Sequence, residues 1–147
     1  HTEGWQWTPN LIWFDNLSSY GTPNYYVQQL FSVNKGSRVL PIAYGGQVPQ
    51  GKDGIYASAV LDESTGEIVV KVVNAAAQTK KLTLLIDGVK KDLVSVQVQV
   101  LTSPTYEGVN ALDTPKAIAP VPGSASIAGK SLQMVLPASS LNVFRVR

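Results

Sequence analysis

Cysteine is absent from the 147 residues, so disulfides and thiolate metal sites are unavailable and the redox state of the compartment leaves no trace. Histidine occurs once, as His1. One imidazole at a terminus builds neither a multi-histidine metal centre nor a Ser-His-Asp triad. No metal or other cofactor is therefore expected. Charge of one sign is scarce: 12 Lys and Arg stand against 10 Asp and Glu, scattered to a net +2. There is no basic stripe to hold a phosphate backbone, and no nucleic-acid partner is expected. No apolar run approaches the roughly 20 residues of a membrane-spanning helix, and the N-terminus lacks a signal-peptide pattern, so no membrane partner is expected either. Gly-rich phosphate loops and nucleophile elbows are also missing. Methionine occurs only as Met134 and not at the start, which reads as a piece of a longer protein.

What is present is 44% hydrophobic residues, enough for one domain with a core plus an attachment. The tripeptide Thr-Pro-Asn occurs twice, at Thr8-Pro9-Asn10 and Thr22-Pro23-Asn24. Each copy has the grammar of a helix start: a hydroxyl able to accept from a free N–H, then a proline whose missing donor costs nothing at the first helical position. Two short tandem helices over 8–34 are therefore expected, the first ending at Gly21 in a left-handed cap. In the second, Tyr26, Val27, Leu30 and Phe31 share a helical face. Leu11-Ile12-Trp13-Phe14 carries no period, so a buried strand is the alternative reading of the first. Asn16-Leu17-Ser18 matches a glycosylation sequon that a helix would make accidental.

From Ser37 the period changes to two. Val94, Val96, Val98 and Val100 alternate with Ser95, Gln97 and Gln99, as in a half-buried strand. Segments 55–61 and 66–74 form a second signal, with Asp62-Glu63-Ser64-Thr65-Gly66 as the hairpin turn. Further strands are expected over 38–43, 80–87, 131–136 and 142–146. Seven or eight short strands between Gly and Pro loops predict a mainly β protein. Its expected form is an antiparallel, jelly-roll-like β-sandwich preceded by the two helices. Pro-rich 114–122 should cross the surface, since proline cannot donate in a central strand.

Eight aromatics, Trp5, Trp7, Trp13, Phe14, Tyr20, Tyr25, Tyr26 and Phe31, precede Ser37. They read either as a sugar-stacking platform or as an interface with something absent. Interface outweighs platform for Trp13, Tyr25, Tyr26 and Phe31, and the two balance for Trp5 and Trp7. The acidic residues show no pair poised across a cleft, as glycoside hydrolysis requires. Asp62, Glu63 and Glu67 flank a turn, where acids are usually solvated, while Asp53 and Asp87 precede glycines in ordinary turn pairs.

The stretches Trp7-Thr8-Pro9-Asn10-Leu11-Ile12-Trp13-Phe14-Asp15-Asn16 and Tyr20-Gly21-Thr22-Pro23-Asn24-Tyr25-Tyr26-Val27-Gln28 resemble the end of the catalytic barrel in α-L-arabinofuranosidases of glycoside hydrolase family fifty-one. Lys71-Val72-Val73-Asn74, Asn110-Ala111-Leu112-Asp113-Thr114-Pro115 and Leu136-Pro137-Ala138-Ser139-Ser140-Leu141 resemble the β-sandwich that follows it. The resemblance implies that residues 1–36 are the terminal piece of a (β/α)₈ barrel and 37–147 its C-terminal β-sandwich. It implies a retaining parent enzyme acting on terminal arabinofuranosyl groups of arabinan or arabinoxylan, with a secreted or periplasmic setting favoured. Both catalytic glutamates would lie upstream, so no catalytic residue is expected here. Trp5, Gln6, Trp7 and Asn10 would sit near the active-site mouth as substrate-binding candidates. The upstream barrel is the expected partner, with self-association through the exposed aromatics as a further expectation. The competing class is a carbohydrate-binding module using exposed Trp and Tyr.

Overall fold

A computed structural model describes residues 10–147. Eleven strands and one α-helix are found among them. The first expected helix is a hairpin instead: β1 (Ile12–Phe14) pairs antiparallel with β2 (Ser19–Gly21), Trp13 opposite Tyr20. The physical reason is the missing helical period. A contiguous apolar run offers no single face to bury, and Asp15 turns the chain by accepting from the Leu17 and Ser18 N–H groups at 2.8 and 2.6 Å. The Asn16-Leu17-Ser18 sequon therefore lies on an exposed turn, not in a helix. Nor is Gly21 a left-handed cap. It belongs to β2, and a Cβ there would stand 2.4 Å from Cδ1 of Tyr25.

The second Thr-Pro-Asn does open a helix, α1 (Pro23–Val33). Thr22 is extended and its Oγ1 accepts from the Tyr25 N–H at 3.2 Å, with Pro23 in the first turn and Asn34 closing the end. After α1 the chain enters β3 (Arg38–Leu40), β4 (Ile55–Asp62), β5 (Glu67–Asn74) and β6 (Lys80–Leu85). It continues through β7 (Val96–Thr102), β8 (Val121–Pro122), β9 (Ala125–Ala128), β10 (Ser131–Leu136) and β11 (Ser140–Val146). The expected turn between β4 and β5 is present: the Ser64 hydroxyl and N–H donate to Asp62, and Gly66 takes the left-handed conformation.

A six-stranded sheet runs β3-β4-β5-β11-β7-β8, and a three-stranded sheet runs β6-β10-β9, with antiparallel pairing throughout. The period of two explains their packing. Val70, Val72, Val98, Val100, Phe144 and Val146 turn one face of the large sheet towards Leu132, Met134 and Leu136 of β10, forming the main core. The alternate residues Val69, Leu101, Leu141 and Val143 turn to the opposite face, where they bury Leu30 of α1 and Ile118. The domain thus has three layers, with β5 and β11 covered on both sides. Segment 114–122 is not wholly a surface crossing. Ile118 is buried, and Val121–Pro122 forms an edge strand, where a missing N–H is tolerated.

Candidate domain interface

The polar residues of the family-like motifs converge, and what they do is hold loops. Asn74, fully buried at the end of β5, donates from Nδ2 to the carbonyls of Gln78 and Pro137 at 2.8 Å, with that of Leu136 at 3.2 Å. It thereby ties Lys71-Val72-Val73-Asn74 to Leu136-Pro137-Ala138-Ser139-Ser140-Leu141. Thr102 adds a hydroxyl bond to the Ala138 carbonyl, and Ser139 is left-handed at φ 46°. Asn110, also buried, accepts from the Ile118 N–H at 2.7 Å and donates to the carbonyls of Ile118 and Gly21. The loop carrying Asn110 is thus pinned to the start of α1. Each amide satisfies backbone groups that burial would otherwise leave unpaired.

A polar cluster anchors the other end of α1. Arg145 of β11 donates to Glu67 through Nε at 3.0 Å and through Nη2, and reaches the Asn34 side-chain oxygen from Nη1. Asn34 donates in turn to the Leu30 carbonyl at 2.9 Å. Glu67 is therefore a half-buried ion-pair partner and not a solvated turn acid. Asp15 and Asp62 do sit at exposed turns. Hydrogen bonds from Leu17 and Ser18, and from the Ser64 hydroxyl, hold their carboxyls below the usual value.

Between these anchors lies an open apolar groove of about 390 Å³, bordered by Val27 and Phe31 of α1, Val73, Leu101, Leu141 and Tyr106. Phe31 is 45% exposed and Tyr106 83%. The hairpin before α1 adds exposed Ile12, Phe14 and Leu17. In the middle of this face is Lys71, buried on β5 with Nζ 5.2 Å from the Phe31 ring centre. Burial pushes its ammonium pKa down. Sequence reasoning assigns Lys71 no role beyond its place in a family-like motif, although a lysine inside Val-Val-Lys-Val-Val is itself the signal.

Of the substrate-binding candidates, Trp5, Gln6 and Trp7 lie outside the described residues. Asn10 is half-buried just before β1, in no regular element. Tyr26, expected at an interface with an absent partner, packs into this chain's own second core, and Tyr25 meets it edge to face at 5.2 Å. Among the described residues no three His, Cys, Asp or Glu side chains gather as metal ligands.

Comparison with known proteins finds relatives of this arrangement. The family model described as "Alpha-L-arabinofuranosidase C-terminal domain" matches residues 4–140. Alpha-L-arabinofuranosidase 1 of Arabidopsis thaliana is 28% identical over 149 residues, taking in 98% of this chain and 21% of that protein. An extracellular exo-alpha-L-arabinofuranosidase of Streptomyces chartreusis is 53% identical over 36 residues, 24% of this chain and 4% of that protein. Among solved structures, the arabinose-bound MgGH51 α-L-arabinofuranosidase superposes with a TM-score of 0.83 at 30% identity, covering 96% of this chain and 22% of that one. The GH51 arabinofuranosidase from Xanthomonas axonopodis pv. citri gives 0.77 at 26% identity, covering 93% and 28%. The chain spans about a fifth of the length of the curated relatives it matches along its whole extent. With a match running from residue 4 to residue 140, the chain belongs to the family of α-L-arabinofuranosidase C-terminal domains, of the GH51 type.

Proposed function

We propose that this chain completes a retaining α-L-arabinofuranosidase by covering and stabilising its catalytic barrel, and that by itself it is inert. The parent would remove terminal non-reducing α-L-arabinofuranosyl groups from arabinan- or arabinoxylan-type polysaccharide. Its acid/base and nucleophile would be two carboxyls about 5 to 5.5 Å apart, both supplied upstream. Residues 1–36 are the terminal piece of the barrel and 37–147 the jelly-roll-like sandwich. Trp5, Gln6, Trp7 and Asn10 border the active-site mouth.

The observation that carries this reading is the double role of α1. One face, Tyr26, Val27 and Leu30, is packed against the large sheet, while Phe31 at the edge of that face is exposed on an apolar groove. Apolar surface left uncovered at the margin of a helix that is otherwise held on its own sheet suits a layer shared between two bodies. Inertness is supported by the duties of the acids: Glu67 pairs with Arg145, Glu63 lies 3.8 Å from Arg38, and Asp15 and Asp62 shape turns.

The test is light scattering of the chain with a separately expressed upstream half, with release from an aryl α-L-arabinofuranoside followed in the same tubes. Association together with a rise in activity is expected. Turnover by the chain alone would overturn the inert reading. Binding of arabinan without association would move the assignment to a carbohydrate-binding module, and self-association alone would make the apolar face a dimer contact.

A further inference from the structure

The two cores of this domain obey a simple alternation, and Lys71 breaks it. Along β5, Val70 and Val72 face the space between the sheets, so Val69, Lys71 and Val73 face α1. Lys71 pairs with Ser58 of β4 on one side and Val143 of β11 on the other, in the middle of the sheet. It is 7% exposed. Its ammonium has three donors, and among the described residues no hydrogen bond or ion pair meets them. The ion pairs among the described residues are Arg38–Glu63 and Arg145–Glu67. Glu67 is four residues back along the strand, roughly 13 Å at the usual rise, and already engaged. Arg145 stands opposite Val69 in the register, so the nearest formal charge across the strands is another cation. The Phe31 ring offers attraction through its face but no acceptor.

A cation drawn largely out of water without a protein acceptor destabilises the fold that carries it, unless something else supplies the counter-charge. Phe31, whose ring lies beside the Lys71 ammonium, and Val73, on the same face of β5, border the apolar groove, so a body that covers the groove comes up beside Lys71. The matched relatives are about five times longer than this chain, which leaves ample polypeptide to do so. We infer that Lys71 is a docking cation, which receives a carboxylate from the upstream catalytic domain when that domain closes over α1 and the groove. This rests on the proposed role of the chain as a cover for that domain, and it names the chemistry of the contact.

The test is Lys71→Met, made both in the 147-residue chain and in the parent polypeptide, with thermal unfolding of each. In the chain alone the variant should unfold several degrees higher, because a buried cation is replaced by an apolar side chain of similar length. In the parent it should unfold several degrees lower, because a carboxylate loses its partner, and Lys71→Arg should recover most of that loss. Amine-directed acetylation read by mass spectrometry gives an independent measure: Lys71 should react at least tenfold more slowly in the parent than in the chain. Shifts of the same sign in both proteins, or equal acetylation rates, overturn the inference. A lower midpoint for Lys71→Met in the chain alone would also overturn it, by placing the acid within the chain, where Glu3 is the carboxylate outside the described residues. Failure of the underlying reading looks different. The parent would then show two separate transitions, one at the temperature of the isolated chain.

Discussion

Replacing Leu30 with alanine asks whether α1 is a layer of this domain or a passenger on it. Leu30 is the fully buried residue of the helix, 2% exposed, set against Val69, Leu101, Ile118, Leu141 and Val143. Those partners lie on the central strands β5, β7 and β11 and on the loop pinned by Asn110, so the damage falls on the middle of the large sheet. Removing three carbons forfeits about 2 kcal/mol of transfer free energy at ~0.8 per methylene. The unfilled space raises the cost to about 3 kcal/mol, within the range of ~2–5 seen for such truncations. For a chain of this size each kcal/mol moves the midpoint by roughly 2–4 °C, so a fall of about 10 °C is expected. Val33, one turn on and 62% exposed, is the control: Val33→Ala should stay within about 0.5 kcal/mol of the parent sequence. The assay is thermal unfolding followed by circular dichroism, with amide exchange of α1 measured in parallel. If Leu30→Ala leaves the midpoint within about 2 °C while the helix amides exchange freely, α1 unfolds independently and the three-layer description is wrong.

Asn110→Ala removes three hydrogen bonds and leaves the Ile118 N–H buried and unpaired; a loss of about 3 kcal/mol is expected, read as a lower urea midpoint with unchanged slope. Gly21→Ala places a methyl 2.4 Å from the Tyr25 ring, so the ring must leave its place, and the Tyr25–Tyr26 near-ultraviolet dichroism should change while the β signal persists. Lys71 gives the pH prediction. Its folded pKa is lowered from 10.5 by burial, so between that lowered value and 10.5 the unfolded chain holds more protons than the folded one. Stability of the isolated chain therefore rises with pH across that window. The other titratable groups on this face are Glu67, Arg145, Tyr25, Tyr26 and Tyr106, which both versions of the chain share. Denaturant titration at several alkaline pH values should show a rise that Lys71→Met lacks; parallel curves would refute it.

Much of the sandwich was legible because burial on one face forces alternation, and alternation survives in any sequence that must keep a sheet half dry. β4, β7 and β10 carry it openly, while β5, covered on both faces, is a near-continuous valine run. The doubled Thr-Pro-Asn shows where a local signal stops being sufficient. Thr22 caps a helix because Tyr26, Val27 and Leu30 follow at a spacing that can be buried together. After Pro9 and Asn10 comes an unbroken apolar run with no helical face, and it pairs in a hairpin that leaves Ile12 and Phe14 exposed. β8 and β9 escaped notice for a related reason: strands of two and four residues at a sheet edge bury too little to impose a pattern.

The residues that hold the loops were harder to read than the strands, because an asparagine declares its donors and acceptors but not whom they serve. Asn74 and Asn110 looked like family marks, and their purpose became visible only when Pro137, Ile118 and Gly21 came within reach. Lys71 is the reverse case, where the side chain's needs are plain and no described residue meets them. A fold selected only for its own stability has every reason to place valine there, as it does at 69, 70, 72 and 73. Keeping a cation in that row is understandable if the free energy it costs the isolated domain is returned by a contact formed elsewhere in the polypeptide. A free-standing sugar-binding module would gain nothing from a lone charge set in an apolar sheet face. A cover for a larger body gains orientation from it, because one acid must meet one base before the apolar faces can close.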